Sequence, residues 1–334
     1  MLRTVDYHTA GEPFRIVIEG VPDIAGTSVR DRRETARSSA EIDGVRQLLC
    51  HEPRGHADMY GCFLVPPDDD GADLGVLFWH KDGFSTACGH GTIALGEWAV
   101  TSGRVDAPRD GTTDVRIDVP SGRVTARVRR VAGVTQDVTF RNVPAYVVAR
   151  DVPVATSRGD LRVDVSYGGA LYASVRAADA DLAVDPADLV DLIAVAREIK
   201  AVLADADVAR HPDDPRLDGI YGVIWWQDLG RSESGPWQRN ATVFADGEVD
   251  RSPCGSGTSA RLALLADDGT VGDGDTLTHE SIIGTVFEGR VVEHVVDAGR
   301  PAVITEIAGM AFPTGEHAFV LDERDPVGRG FVLR

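Results

Sequence analysis

One stretch of this chain is written twice. It reads Ala87-Cys88-Gly89-His90-Gly91-Thr92-Ile93-Ala94-Leu95 and, later, Pro253-Cys254-Gly255-Ser256-Gly257-Thr258-Ser259-Ala260-Arg261. Both copies have the form Cys-Gly-x-Gly-Thr, run on through small and apolar residues, and reach a glycine 15 residues after the cysteine, Gly103 and Gly269. A glycine at that place is a usual helix stop. Ten residues before each cysteine stands a phenylalanine, Phe78 and Phe244, closing a short apolar run that reads as a strand. The repeat predicts two like halves, each with a cysteine at the start of a core helix.

The glycines beside each cysteine allow a tight turn and a close approach of ligand to backbone N–H groups. At a helix N-terminus the unpaired amides and the positive end of the dipole favour an anion. The expectation is therefore a thiol of lowered pKa beside a seat for a carboxylate. Two such ends turned toward one ligand would hold a carboxylate between two thiols.

The rest of the composition narrows the ligand. With 53 acidic against 34 basic residues, the formal charge of −19 repels nucleic acid and anionic membranes. A small molecule is the expected partner. Only Lys81 and Lys200 are lysines, and both read as surface residues, so Schiff-base chemistry has no evident anchor and no cofactor is expected. The opening Met1-Leu2-Arg3-Thr4-Val5-Asp6 lacks a signal peptide's apolar segment, and no later run approaches the roughly 18 residues needed to span a membrane. A cytoplasmic protein is expected. Four cysteines in 334 residues are no disulfide framework, and a reducing compartment would keep them as thiols.

Along the chain, strands are predicted at Arg3 to His8 and Phe14 to Glu19 around the turn Ala10-Gly11-Glu12-Pro13. A surface helix follows over Val29 to Gln47, with Val29, Ala36, Ala40 and Leu48 on its apolar side. The polar stretch His51 to Met59 is loop chemistry and a candidate wall of the site. Cys50, His51, His56 and Cys62 match no zinc spacing, and Cys62 falls within the strand Tyr60 to Val65. They read as structural, with no metal site. Short strands then succeed one another at Thr113 to Val119, Arg123 to Val131, Gln136 to Arg141 and Ala145 to Val148. Asp151-Val152-Pro153 is the expected first crossing between domains. Strands resume at Leu161 to Val165 and Leu171 to Val175, Pro186 to Ala204 has helical spacing, and Ile220 to Trp226 and Ala241 to Phe244 lead to the second cysteine. Many short strands with one buried helix per half predict an α+β architecture, each half a curved, mostly antiparallel sheet wrapped on its central helix. The expected domains are residues 1–150 with a C-terminal return over about 313–334, and residues 151–312.

A buried cysteine at a glycine-rich turn is commonly plain packing. Packing gives no reason, however, for a thiol at the same place in both halves, whereas a symmetric reaction does. Two thiols on opposite faces of a carbon acid support inversion, one removing the α-proton and the other delivering a proton from the far side. Asp250, four residues before Cys254, is placed to pair with a substrate ammonium, or is a turn residue in Asp246-Gly247-Glu248-Val249-Asp250. His90 is positioned to hydrogen-bond substrate, to raise the thiolate fraction of Cys88, or simply to cap the helix.

At these residues the chain resembles the proline racemase family, which includes hydroxyproline 2-epimerases and trans-3-hydroxy-L-proline dehydratases. The two cysteine motifs look like its catalytic motifs, and His8-Thr9-Ala10-Gly11-Glu12-Pro13 and Glu52 to Met59 look like its N-terminal signatures. The resemblance implies a cofactor-independent enzyme of two similar, diaminopimelate epimerase-like domains with the site in the cleft. It makes Cys88 and Cys254 the acid/base pair, sets Asp250 and His90 on the ring-nitrogen side, and gives the carboxylate to amides of Gly89, His90, Gly255 and Ser256. Ser256 stands where the family more often has threonine. The partner implied is an imino acid, with a homodimer possible. In the family a cysteine at the second motif goes with racemases and epimerases and a threonine with dehydratases, so Cys254 points to inversion. The segments Phe84 to Ala87, Tyr167 to Tyr172 and Phe319 to Asp322 look more like the dehydratase branch, which is the alternative. Diaminopimelate epimerase is a more remote likeness, since it usually has asparagine at the place of His90. A non-catalytic thiol switch is the reading from another class.

Overall fold

Gly89–Thr101 and Gly255–Asp267 are the helices that the repeat predicts, and neither has a polar face. In the first every residue from Gly89 to Val100 is buried, and in the second every residue from Gly255 to Leu265. A helix buried on nearly every side needs a layer that closes about it. The rest of the chain supplies that layer twice. The computed structural model describes residues 1–333, which form two compact units, Met1–Val138 with the chain from Met310 onward, and Thr139–Gly309.

The first unit contains β1 (Leu2–Thr9), β2 (Glu12–Glu19), α1 (Val29–Ser38), α2 (Ala40–Cys50), β3 (Gly61–Val65), β4 (Leu74–His80), β5 (Gly83–Phe84), α3 (Gly89–Thr101), β6 (Gly111–Val119) and β7 (Gly122–Val131). Strand β8 (Val134–Arg141) runs across the division. The second unit holds β9 (Tyr146–Thr156), β10 (Gly159–Tyr167), β11 (Leu171–Arg176), α4 (Leu189–Leu203), β12 (Ile220–Ser232), β13 (Gly235–Phe244), β14 (Glu248–Val249), α5 (Gly255–Asp267), β15 (Leu277–Ser281), β16 (Val286–Asp297) and β17 (Arg300–Gly309). Strand β18 (Ala311–Phe319) returns to the first unit and pairs with β1.

Strand order shows that the repeat extends well beyond the cysteines. In the first unit it runs β18-β1-β2-β3-β4-β6-β7, with β2–β3 and β4–β6 parallel and the other pairs antiparallel. In the second it runs β9-β10-β11-β12-β13-β15-β16-β17, with β11–β12 and β13–β15 parallel and the rest antiparallel. The short β5 and β14 sit on β4 and β13 at equivalent places, immediately before each cysteine. Each parallel step encloses at least one helix, α1 and α2 then α3 in the first unit and α4 then α5 in the second, as a crossover between parallel strands requires. Helix α3 packs on β1, β2, β7 and β18, and α5 on the matching β10, β11, β16 and β9. The expected α+β class, mostly antiparallel about a central helix, is what the chain forms. Gly103 and Gly269 end the two helices at φ +73° and +75°, the left-handed conformation that glycine takes without strain.

Several details depart from the sequence reading. The helix expected over Val29 to Gln47 is two, because Ser39 is extended and its Oγ accepts from Ile42 N at 3.3 Å, starting α2 afresh. That break turns Ala40 to solvent while Val29, Ala36 and Leu48 remain buried. The charged face is not wholly solvated either. Arg33 Nε donates to Phe84 O at 2.9 Å, and Arg46 Nη1 donates to His80 O and Lys81 O at 2.8 and 2.5 Å, all in the segment that leads to Cys88. Lys81, read as a surface residue, is buried with its Nζ 2.7 Å from Asp82 Oδ1. Lys200 is half-buried and donates to the Tyr221 and Ala245 carbonyls. Asp151-Val152-Pro153 lies inside β9, opposite β10, and the division between units falls at Val138/Thr139.

The close fit of α3 to its sheet sets one measurable cost. A Cβ on Gly96 would lie 2.6 Å from Ala126 Cβ and 3.1 Å from Val138 Cγ1. Gly96→Leu is therefore expected to destabilise the protein by about 1–3 kcal/mol through overpacking, read as a lower denaturant midpoint at unchanged m value. An unchanged midpoint would mean that the helix is not held as tightly as described.

Candidate active site

Cys88 is the N-cap of α3. Its backbone is extended, at φ −158° and ψ 105°, and its Sγ accepts a hydrogen bond from Gly91 N at 3.2 Å. The thiol thus does what a capping serine does. The spacing of the motif follows from this contact, because a Cβ on Gly91 would stand 2.7 Å from the Cys88 sulfur and 2.4 Å from the Phe14 ring. The amides of Gly89 and His90, in the first turn, have no acceptor within the helix.

His90 lies beside the thiol, with Nδ1 3.4 Å and Nε2 3.6 Å from Cys88 Sγ. Its ring meets Tyr60 and Phe14 edge-on, with centroids 4.9 and 5.7 Å away, and Thr9 Oγ1 donates to its carbonyl at 2.9 Å. Burial drives its pKa down to about 3, opposed only in part by a hydrogen bond to the Pro13 backbone. His90 is consequently a neutral imidazole. It can hydrogen-bond the thiol or a ligand, but it supplies no positive charge to a thiolate.

Cys254 caps α5 at the equivalent position in a different backbone conformation, φ +61° and ψ 101°. A non-glycine residue at positive φ costs on the order of 1–3 kcal/mol, and such strain tends to collect at functional sites. Gly257 repeats the role of Gly91, since a Cβ there would lie 2.9 Å from Cys254 Sγ. Tyr172 hydroxyl is 2.7 Å from Ser256 Oγ and 3.9 Å from the Cys254 sulfur.

Asp250 is buried, 3% exposed. Its Oδ1 does accept from Ser252 N and Oγ at 2.8 and 2.7 Å, which is an Asx turn, and Ser252 Oγ in turn accepts from Cys254 N at 3.1 Å. Burial pushes the Asp250 carboxyl up to about 6, against the opposing Ser252 donors.

The lowered thiol pKa expected at a helix end does not hold at Cys254. Burial raises it well above the ordinary value, the Asp250 charge raises it further, and the Gly257 amide and Tyr172 hydroxyl pull it back only in part. Desolvation of a fully enclosed thiolate outweighs the dipole. Nor are the two thiols open to solvent, Cys88 being 5% and Cys254 6% exposed.

Each predicted site residue thus falls at a helix end: Cys88, Gly89 and His90 at α3, and Asp250, Cys254, Gly255 and Ser256 at α5. Sequence reasoning missed the hydroxyls of Tyr172 and Ser252 and the ring of Tyr60. Ser252 was within reach, since an Asp-x-Ser leading to a helix is a turn signal, whereas nothing in a strand pattern marks Tyr172 or Tyr60. Cys50 and Cys62 are fully buried, Cys50 among Leu48, Leu49 and Met59. Burial pushes the Cys62 thiol far up, in keeping with a packing role.

The chain belongs to the proline racemase family, whose model, described as Proline racemase, matches residues 4–332. It is 44% identical over 336 aligned residues to a 3-hydroxyproline 2-epimerase of Burkholderia multivorans, covering 100% of this chain and 98% of that one. It is 41% identical over 330 residues to a trans-3-hydroxy-L-proline dehydratase of Bacillus cereus, covering 99% and 97%. Among solved structures it resembles a hydroxyproline epimerase of Agrobacterium vitis with bound trans-4-hydroxy-L-proline, at a TM-score of 0.90 and 32% identity over 99% of this chain and 95% of that one. Its relatives are thus named as enzymes of two kinds, isomerases and hydro-lyases.

The raised Asp250 carboxyl makes a stability prediction. Its folded pKa of about 6 exceeds the ordinary 3.8, so the folded state holds this proton more tightly than the unfolded one. Stability from this group is highest below about 4, is lost as pH rises through about 6, and stays reduced above. Asp250→Asn, which keeps an acceptor for Ser252, is expected to raise the melting temperature at pH 7 to 8 and to flatten the stability profile between pH 4 and 6. The same midpoint and slope in both proteins would show that Asp250 is not held as described.

Proposed function

We propose that this protein inverts the α-carbon of 3-hydroxyproline without a cofactor, with Cys88 and Cys254 as an acid/base pair. One observation carries the reading: a second cysteine, Cys254, stands at the N-cap position of a buried helix where Cys88 stands at the first, and its surroundings keep its thiol protonated. Inversion needs a base for one face of the carbon acid and a proton donor for the other. Cys88 has a backbone amide aimed at its sulfur and a ring nitrogen 3.4 Å away, groups suited to a thiolate. In the forward direction Cys88 takes the α-proton and Cys254 supplies one, and the reverse reaction exchanges the roles. The first-turn amides of Gly89, His90, Gly255 and Ser256 take the carboxylate and the charge that grows on it as the proton leaves. Asp250, poised near 6, ionises fully when a ring ammonium enters beside it.

The relatives support this choice of substrate, since the Burkholderia and Bacillus proteins bear names for different reactions of 3-hydroxyproline. The second reading is dehydration of trans-3-hydroxy-L-proline, favoured by the Bacillus relative and by the segments Phe84 to Ala87 and Tyr167 to Tyr172. There one base suffices and the β-hydroxyl leaves. Incubation with trans-3-hydroxy-L-proline separates the two. Inversion gives cis-3-hydroxy-D-proline with an optical change, and pyrroline formation without any inversion overturns the proposal.

Cys254→Thr refines this test. It removes the second thiol while leaving Cys88 intact, so epimerisation is expected to fall by roughly 10²–10⁴-fold or more, the usual weight of a positioned proton donor. Dehydration, if present in the unaltered protein, should persist. Epimerisation at an undiminished rate would exclude Cys254 as the donor.

A further inference from the structure

On the second unit, β12, β13 and the C-terminal half of α5 enclose a cavity of about 370 Å³, within the range of small-molecule sites. Its lining includes neither Cys254 nor Asp250 nor Ser256. At its floor lies Arg261, seven residues along the helix that Cys254 caps and only 4% exposed. Its guanidinium stacks on Trp226 with Cζ 4.0 Å from the ring centroid, and Nε donates to Gln238 Oε1 at 2.9 Å. Among the described residues no carboxylate forms an ion pair with it and no acceptor takes its Nη hydrogens. A buried arginine is ordinarily paired, because an uncompensated buried charge is costly. The same burial pulls its pKa down to about 10, which still leaves it charged at neutral pH.

The other charges of the cavity are disposed differently. Arg150 is paired with Asp164 at 3.0 Å and with Asp267 at 2.8 Å, and Arg231 with Asp275 at 3.0 Å. Asp228 accepts from Gly230 N at 2.9 Å beside the bulge between Asp228 and Arg231, and Asp268 accepts from Thr270 N at 3.0 Å. Both are exposed at the rim, and among the described residues the one ion pair that either makes is Arg150 with Asp268, 3.9 Å apart. Three arginines, Arg150, Arg231 and Arg261, therefore face three aspartates, Asp164, Asp228 and Asp268. The lining is neutral overall, with its unmatched positive charge at the floor and its least matched negative charges at the rim. A net anion such as phosphate would meet three carboxylates, and a simple cation would leave Arg261 unpaired.

We propose that this cavity binds a free amino or imino acid as a zwitterion, its carboxylate on the Arg261 guanidinium and its ammonium toward Asp228 and Asp268. The bidentate fit of guanidinium to carboxylate supplies the geometry, and Trp226 holds the guanidinium plane. The site is separate from the cysteine helix ends, and the inference does not depend on which reaction they perform.

The test is calorimetric titration of the full chain, its thiols capped with iodoacetamide, with glycine as the zwitterion and with acetate and methylammonium as its two halves. Saturable glycine binding is expected, with each half bound at least roughly tenfold more weakly, about 1.4 kcal/mol. Arg261→Gln and Asp228→Asn should each weaken glycine binding by roughly tenfold, again about 1.4 kcal/mol. Should Arg261→Gln fail to fold, Asp228→Asn at the exposed rim decides alone, since asparagine can still accept from Gly230 N. Turnover at the cysteine site without glycine should be unchanged in Asp228→Asn. Absence of saturable glycine binding, acetate bound as tightly as glycine, or undiminished binding by Asp228→Asn overturns the assignment.

Discussion

A sulfur atom seated over the first turn of a buried helix governs the local structure on each side of it. For Cys88 Sγ to accept from Gly91 N, the residue three positions on must have no side chain, and at Gly257 the same clearance applies. For the helix behind it to be buried on every side, the remaining strands must close round it. The order of those strands, with parallel steps at the same two places, is met in both units. A thiol, a missing Cβ and an enclosed helix form one constraint that is satisfied twice.

The two copies are alike in backbone plan and unlike in chemistry. Beside Cys88 stands a neutral imidazole, enclosed by Phe14 and Tyr60. Beside Cys254 stand a carboxyl, reached through Ser252, and the hydroxyl of Tyr172. The surroundings of Cys254 resist its ionisation, and its backbone is held at positive φ where that of Cys88 is extended. In the proposed reaction this asymmetry assigns the resting roles, a base in one unit and a donor in the other. Entry of a zwitterionic substrate changes both, since an ammonium beside Asp250 offsets the charge that raises the Cys254 pKa.

Much of this was legible from the residues. The repeated Cys-Gly-x-Gly-Thr placed both helices, the glycines 15 residues later ended them, and alternation located most strands. Charge in a helical pattern was a poorer guide. Arg33 and Arg46 carry the charge of an exposed face yet reach inward to backbone carbonyls, because a long arginine on a short helix can satisfy groups that no strand covers. Ser39 had to be read as a cap to find the break between α1 and α2. The Cys254 thiol was misjudged because a helix dipole is visible in sequence whereas desolvation is a property of the packed fold. Tyr60 and Tyr172 belong to strands whose pattern records only that they are buried.

The central claim, that both thiols serve one imino-acid substrate, is tested most directly by counting alkylated cysteines by mass spectrometry while pyrrole-2-carboxylate is titrated in. If the account is right, one equivalent of ligand protects Cys88 and Cys254 together, with the same half-saturation, and leaves the labelling of Cys50 and Cys62 unaltered. Protection of one thiol alone, or of neither, would contradict it.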